Sequence, residues 1–160
     1  MTQMDAFLLL DRVTGESRDE TYAGHMEILA WSWGMSNSGS AHRGQGAGVG
    51  ATHVSDVSIQ KRVDTSTPTL MDFCVRGEHI SKGKIVIRKA GGTKLEYYLL
   101  EMEDILISGV QNSGSGPDMT ESLSFNFAKF KMKYVPQQPD GTGGSPVPMG
   151  YDISAGKTYA

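Results

Sequence analysis

Few residues of this sequence have the types and spacing that catalysis needs. Cys74 and one of the four histidines could form a thiol–imidazole dyad, but Cys74 falls on the apolar stripe of a predicted helix, which favours a buried structural thiol. The histidines lack the short paired spacing of a zinc site, and there is no second cysteine. Gly34–Ser38 departs from a Gly-x-Ser-x-Gly elbow at its last position. We therefore expect no enzyme activity, no metal site and no cofactor.

The Gly-rich segment 44–50 is a candidate phosphate-binding loop. Gly46-x-Gly48-x-x-Ala51 matches a dinucleotide fingerprint in letters. That fingerprint needs a strand before it and a helix after it, whereas an alternating strand pattern follows here. Gly156-Lys157-Thr158 resembles the end of a phosphate-binding Walker motif, but no glycine stands five residues before it. These contexts argue against a nucleotide cofactor.

Composition excludes several classes of partner. The 160-residue chain has 15 basic and 18 acidic residues and a formal net charge of −3, so it lacks the basic surface of a nucleic-acid or anionic-membrane binder. One cysteine cannot form an internal disulfide, which favours synthesis in the cytoplasm. The apolar run Ala6–Leu10 is too short for a transmembrane helix or a general secretion signal.

The elements that must position any functional surface are mostly strands. From His25 to Trp33, Leu29, Trp31 and Trp33 alternate with Ile28, Ala30 and Ser32, and both faces are fairly apolar. A half-buried strand is predicted from His53 to Val63. The one helix is predicted over Thr67–Arg76, with Thr67 as N-cap and Gly77 as the left-handed terminator.

The second half of the chain reads as hairpins. Strands are predicted at 84–89, 95–102 and 105–110, followed by a loop at 111–118. Leu123, Phe125 and Phe127 alternate with polar residues, and the phase flips at Ala128, which indicates a bulge or bend that lets one long strand serve two sheets. The predicted fold class is mainly β: two packed antiparallel sheets forming a barrel-like core, with one short α-helix. Residues 1–160 form one domain, in which 136–150 is a Gly/Pro-rich connection to a short C-terminal segment.

Lys129, Lys131 and Lys133 line one face of a predicted strand. This face is either a charged surface for a partner or cargo, or a solvated face whose lysines prevent wrong edge-to-edge pairing, which is favoured.

Several stretches in order along the chain closely resemble the haemolysin-coregulated protein (Hcp) family of bacterial type VI secretion. They are Gly15-Glu16-Ser17, Leu29-Ala30-Trp31-Ser32-Trp33-Gly34, Val63-Asp64 with Ser66-Thr67-Pro68-x-Leu70-Met71, Ile87-Arg88-Lys89-Ala90-Gly91-Gly92, and Thr120-Glu121-Ser122-Leu123-Ser124-Phe125-Asn126-Phe127-Ala128-Lys129. The resemblance runs from about Asp5 to Tyr134 and weakly on to Tyr151.

The resemblance implies a tube subunit with a fold similar to phage tail tubes. In this family, hexameric rings stack into a hollow tube, and a contracting sheath expels that tube with a VgrG spike at its tip. The implied partners are further copies of the chain, sheath proteins, the VgrG spike and small effector proteins carried in the lumen. The subunit is then made in the cytoplasm and secreted out of the cell or into target cells.

Two surfaces follow from the resemblance. The long loop Met35–Thr52 resembles the family's extended loop, which reaches toward the neighbouring ring. The residues expected in this ring-stacking contact are Ser38, Gly39, Ser40, His42, Arg43 and Gln45. Ala30 and Ser32 are expected to face the lumen, because small side chains make a smooth wall of low specificity; the alternative is that their face is core or subunit contact.

Two other classes of function remain open. A monomeric β-sandwich binding module could use Trp31, Trp33 and the Gly-rich loop in a lectin-like way. An enzyme of unrecognised type is the third class, and the lack of a catalytic arrangement disfavours it.

Overall fold

The computed structural model describes residues 5–41, 51–89 and 94–159. Strands and one helix follow one another along the chain: β1 Asp5–Leu10, β2 Met26–Glu27, β3 Ala30–Ser32, β4 Met35–Asn37, β5 Thr52–Val54, β6 Val57–Arg62, α1 Ser66–Arg76, β7 Ile80–Arg88, β8 Glu96–Ser115, β9 Asp118–Tyr134, β10 Val147–Asp152 and β11 Lys157–Tyr159. Within these ranges, no helix has the length and apolar character required to cross a membrane.

The large sheet is antiparallel, has nine strands and curls back on itself. Its main path runs β11-β10-β9-β8-β7-β1-β2, and β6 pairs with β9 and with β3. Strands β2 and β3 lie on one short segment, 26–32. This segment pairs with β1 at its first end and with β6 at its second end. Strands β4 and β5 form a separate two-stranded ribbon. The predicted fold class is confirmed: the protein is mainly β with a barrel-like core, and the described residues contain one short helix and no single strand that closes the barrel.

The segment His25–Trp33 was predicted as one strand and is two. Ile28 is buried, whereas Ala30 and Ser32, which the alternation placed on the same face, are exposed. The chain changes partner between Ile28 and Leu29, since Ile28 N–H donates to Ala6 of β1 and Leu29 N–H donates to Gln60 of β6. This change of partner breaks the period of two.

Strands β8 and β9 form one long hairpin that bends in the middle. Asp104 has φ +57°, and the pairing of β8 with β9 skips the Asp104–Ala128 position. Phe127 and Phe130 are both buried on the two sides of this bend. The predicted phase flip at Ala128 is therefore confirmed. The predicted loop 111–118 was wrong, because both strands continue to a two-residue turn at Gly116-Pro117.

The helix closes one end of the core. Leu70 and Phe73 are buried in it, and Gly77 ends it with φ +61° as predicted. Its start differs from the prediction, since α1 begins at Ser66. The reason is that the Asp64 carboxylate accepts the Ser66 N–H at 2.9 Å, while the Thr67 hydroxyl is used to accept the Asp64 N–H.

A buried charge cluster lies where β6 runs into the helix. The side chain of Lys61 is 1% exposed, and its Nζ lies 3.0 Å from Asp64 Oδ1 and 3.1 Å from Glu121 Oε2. Glu121 is fully buried and is held by charge attraction, because no group of the described residues is aligned to donate a hydrogen bond to its oxygens. One ammonium thus serves two carboxylates, and its remaining contact is the Arg62 carbonyl at 2.9 Å.

A second charge cluster anchors β1 and the segment before β2. The Arg88 guanidinium donates to both carboxylate oxygens of Asp5 and of Asp19 at 2.7–3.1 Å and lies 4.8 Å above the Phe7 ring. The hydrogen bond from Arg88, together with the Tyr22 and Thr21 backbone N–H groups, lowers the pKa of Asp19 to about 2. Arg88 is thus a buried cation that is paired with a carboxylate on each side.

The C-terminal segment is more ordered than the sequence indicated. The predicted connection 136–150 ends early, because residues 147–152 form β10 on β9, and β11 then pairs with β10. β9 is therefore an interior strand at Lys129–Lys133, which overturns the interpretation of these lysines as edge protection. Glu101 and Glu103 of β8 stand directly opposite Lys131 and Lys129, so the lysines belong to a cross-strand array of opposite charges.

Candidate assembly and cargo surfaces

An exposed polar face covers the sheet formed by β3, β6, β9 and the second half of β8. Ala30 and Ser32 are both exposed on β3, as the lumen assignment requires of them. The pairing sets Ser32, Ser58 and Ser124 in one row, and it sets Ala30, Gln60, Ser122 and Gln111 in the next. We name these seven residues the polar wall. None of them carries a charge, so the wall is a neutral surface of small side chains and amides.

Hydrogen bonds between side chains order part of the polar wall. Gln60 Nε2 donates to Ser122 Oγ at 2.7 Å. Ser108 Oγ donates to Asp56 Oδ2 at 2.6 Å and lies 3.1 Å from Ser124 Oγ. These contacts hold neighbouring strands in register on their outer face. Asp56, just before β6, and Arg62, at its last position, are exposed charged residues at the borders of the polar wall.

Sequence reasoning found two residues of the polar wall and missed the rest. The missing signal was present in the alternation of 57–62 and 120–127, whose outward positions carry Ser58, Gln60, Ser122 and Ser124. Each pattern shows a polar face by itself. Only the strand pairing shows that those faces join Ala30 and Ser32 in one surface.

The two tryptophans point the other way, toward the core. The Trp33 ring packs 5.0 Å from the Phe130 ring, and its Nε1 donates to the Tyr98 hydroxyl at 2.8 Å. Trp31 packs 5.0 Å from the Tyr98 ring, and burial of that tyrosine raises its pKa. A lectin-like module would present aromatic rings to its ligand. The tryptophans offered for that alternative are instead used in packing.

The ribbon of β4 and β5 carries the predicted ring-stacking loop. The Ser38 N–H donates to the Ala51 carbonyl at 3.2 Å and the Ser38 hydroxyl accepts the Ala51 N–H at 2.9 Å, so the ribbon extends one pair beyond β4. Ser38 and Gly39 are exposed, and Ser40 is half-buried. The other three predicted residues, His42, Arg43 and Gln45, lie outside the described residues.

Two edges of the polar-wall sheet have no neighbouring strand within the described residues. β7 ends its pairing with β8 at Ile105, so residues 106–115 of β8 are paired with β9 alone. β3 pairs with β6 on one side only. An unpaired strand edge offers a row of backbone N–H and C=O groups to another chain. The two edges differ in sequence, so a contact between them joins unlike surfaces.

The structure brings together no catalytic arrangement in the part of the chain it describes. Cys74 is half-buried on α1, and no cluster of three or more His, Cys, Asp or Glu residues in these ranges has the geometry of a metal site. His79 is paired with Asp104 at 2.5 Å on the surface.

Comparison with known proteins settles the family. Residues 7–134 match the family described as type VI secretion system effector, Hcp. The chain is 44% identical over 154 residues to the protein hcp1 of Pseudomonas aeruginosa, covering 94% of this chain and 95% of that protein. The chain belongs to the Hcp family. The predicted family and its link to type VI secretion are thereby confirmed.

Solved structures agree with this Hcp assignment. A structure described as a type six secretion system protein superposes with a TM-score of 0.90 at 25% identity, covering 98% of this chain and 99% of that one. Hcp1 from Salmonella typhimurium superposes with a TM-score of 0.84 at 29% identity, covering 99% and 100%. The Hcp fold therefore extends over the C-terminal strands, beyond the region in which the sequence resemblance was strong.

Proposed function

We propose that this Hcp-family chain is the subunit of a type VI secretion tube and that it acts without catalysis. Six copies form a ring, rings stack into a hollow tube, and contraction of a surrounding sheath expels the tube behind a VgrG spike. Residues 1–160 serve as one tube domain. Membership in the Hcp family over residues 7–134 is the observation that carries this proposal.

The two open strand edges support a ring. A closed ring of identical subunits needs a heterologous contact, in which one patch of a subunit meets a different patch of the next. The β8 edge at 106–115 and the β3 edge at Ala30–Ser32 are unlike and lie on opposite sides of one sheet. Pairing between them would extend the sheet from copy to copy and satisfy backbone groups at both edges.

The polar wall supports a lumen assignment for Ala30 and Ser32. If the sheet continues around a ring, its outer face becomes one continuous surface, either inside or outside the ring. A surface of small neutral groups offers no strong apolar or charged attraction to hold a passing protein. We therefore place this face in the lumen, where small effector proteins are carried.

The loop that begins at Ser38 is proposed to contact the neighbouring ring. The β4–β5 ribbon is a firm base for such a contact, because it is paired from Met35 to Ser38. Its exposed residues Ser38 and Gly39 are small and allow close approach of another surface.

Mass in solution tests the ring. Size-exclusion chromatography with light scattering should give six copies of 17.3 kDa, about 104 kDa, and negative-stain images of that peak should show rings. A monomer of 17.3 kDa at high concentration would count against self-assembly by this chain alone. Secretion of the protein only when sheath proteins are present would test the export step.

A further inference from the structure

The free edges of the large sheet are built in two different ways. Along β9, residues 129–134 are covered by β10 in continuous register from Asp152 opposite Lys129 to Val147 opposite Tyr134. The new edge that this creates is poor for strand addition. β11 covers residues 150–152 of β10, and Pro148, in the uncovered part of β10, has no N–H to donate. A proline on an edge strand is one means by which proteins prevent wrong pairing.

The edge of β8 has none of these protections. Residues 106–115 contain no proline and no charged residue. Only the bulge at Ser108 interrupts their pairing with β9. One edge of the same hairpin is therefore covered by β10, while the other is long and has no strand beside it within the described residues. This contrast indicates that the 106–115 edge of β8 is suited to strand pairing with another chain, whereas the 129–134 edge of β9 is not.

The C-terminal strands are fastened at the bend of β9. The Ile153 N–H donates to the Ala128 carbonyl at 2.8 Å, and the Tyr159 hydroxyl donates to the Phe130 carbonyl at 3.0 Å. Lys129 Nζ lies 4.4 Å from the centre of the Tyr159 ring. These contacts seal the part of β9 where Phe130 is 1% exposed.

Charge also selects the register of the C-terminal strands. One row across five strands alternates in sign at every step: Lys82, Glu103, Lys129, Asp152 and Lys157. A slip of one residue would send the β10 and β11 charges to the opposite face and break the row. The charge row therefore favours one register of β10 on β9 and one register of β11 on β10.

We propose that β10 and β11 form an edge guard, which denies the 129–134 edge of β9 to other copies and so restricts copy-to-copy pairing to the β8 and β3 edges. The partner that the guard acts on is a second copy of this chain. With both kinds of edge open, copies can join in more than one way and the assembly does not close. The proposal rests on the proposed function for the nature of the correct assembly, a closed ring.

A substitution at Gly150 can displace the edge guard from its position without shortening the chain. A Cβ at this position would lie 2.8 Å from the Tyr159 carbonyl oxygen and 3.0 Å from its ring, so Gly150→Val forces β11 away. Tyr159→Ala is a second variant, which removes the bond to Phe130 and the contact with Lys129. Gly34→Val is the matched control, because a Cβ there meets nothing within 4 Å.

The experiment compares these variants with the unmodified protein by light scattering over a range of concentrations. Far-UV circular dichroism checks the fold, and amide hydrogen exchange at 129–134 checks release of the guard. We expect Gly150→Val and Tyr159→Ala to lose the discrete ring peak in favour of larger, polydisperse species while the fold is retained. Gly34→Val should keep the ring peak.

Three results would overturn the edge guard. The first is a discrete ring in both variants although exchange at 129–134 has increased. The second is that neither substitution increases that exchange, because the strand pair is then not a separable element. The third is that the unmodified protein and both variants are all monomeric. If only the unmodified protein is a monomer, the ring proposal fails by itself.

Discussion

Replacing Lys61 by methionine tests whether the buried charge cluster is held by its single ammonium. Methionine keeps an unbranched stem of similar volume and removes the positive charge, together with the hydrogen bond to the Arg62 carbonyl. In the variant, Glu121 is fully buried and Asp64 is 16% exposed, and both lose their common cation. The helix start is affected as well, because Asp64 accepts the Ser66 N–H. We expect the fold to survive with a large loss of stability.

The size of the loss follows from the geometry. Leaving one member of a buried ion pair without its partner costs about 3–5 kcal/mol. For a domain of this size each kcal/mol lowers Tm by about 2–4 °C, so Lys61→Met should lower Tm by roughly 6–20 °C. Adding Glu121→Gln removes the fully buried charge, and the double variant should recover most of the loss.

The assay is urea and thermal unfolding at one protein concentration, because self-association adds concentration-dependent stability. Lys94→Met is the matched control. Lys94 is 56% exposed and 3.8 Å from Asp19, so its pair belongs to the surface class that contributes about 0–1 kcal/mol. The reasoning is refuted if Lys61→Met costs no more than Lys94→Met, or if the double variant is no more stable than Lys61→Met.

Four further outcomes are expected. Arg88→Lys should cost about 2–3 kcal/mol in urea unfolding, since an ammonium cannot replace the guanidinium's paired bonds to two carboxylates, and an unchanged midpoint would contradict this. The pKa of Asp19 in the folded protein is lowered to about 2 from 3.8, so its contribution to the free energy of unfolding is present above pH 3.8 and is lost as the pH falls toward 2. The difference in free energy of unfolding between the unmodified protein and Asp19→Asn should therefore shrink between pH 3.8 and 2 and stay constant near neutral pH. Ser32→Gln adds length to an exposed side chain, so it should alter retention of co-purified effector while rings persist, and loss of the ring would argue against a lumen position. Deletion of 39–48 should leave the melting temperature unchanged, because the β4–β5 ribbon pairs without it, and should impair stacking of rings; normal tubes in electron micrographs would contradict the stacking role.

Prediction from the sequence succeeded where a residue's role depends on its neighbours along the chain. Gly77 ends the helix because a left-handed position favours glycine, and this is visible one residue at a time. The phase flip at Ala128 was likewise visible, because both halves of β9 keep a strict alternation around it. The polar wall was only partly visible. Its rows are made of residues from four separate strands, and nothing in one strand's pattern tells which strand lies beside it.

The C-terminal segment shows the limit most clearly. Glycines and prolines made 136–150 look like an exposed connection to a short C-terminal segment, and propensity alone could not reveal that β10 pairs with β9 and β11 with β10. Lys129–Lys133 were misinterpreted for the same reason, since a strand's neighbour decides whether its lysines protect an edge or pair with glutamates. Such long-range pairings depend on hydrogen bonds between segments far apart in the chain.

By itself the sequence determined the mainly β class, the single helix, the absence of a recognised catalytic motif and the resemblance to the Hcp family. These follow from periodicity, composition and short motifs, which are properties of neighbouring residues. Only the tertiary structure decided which strand edges stay open, which face carries the polar wall and that Lys61 and Glu121 are buried together. Those properties belong to pairs of strands, and the curl of the sheet sets them by bringing distant segments into contact.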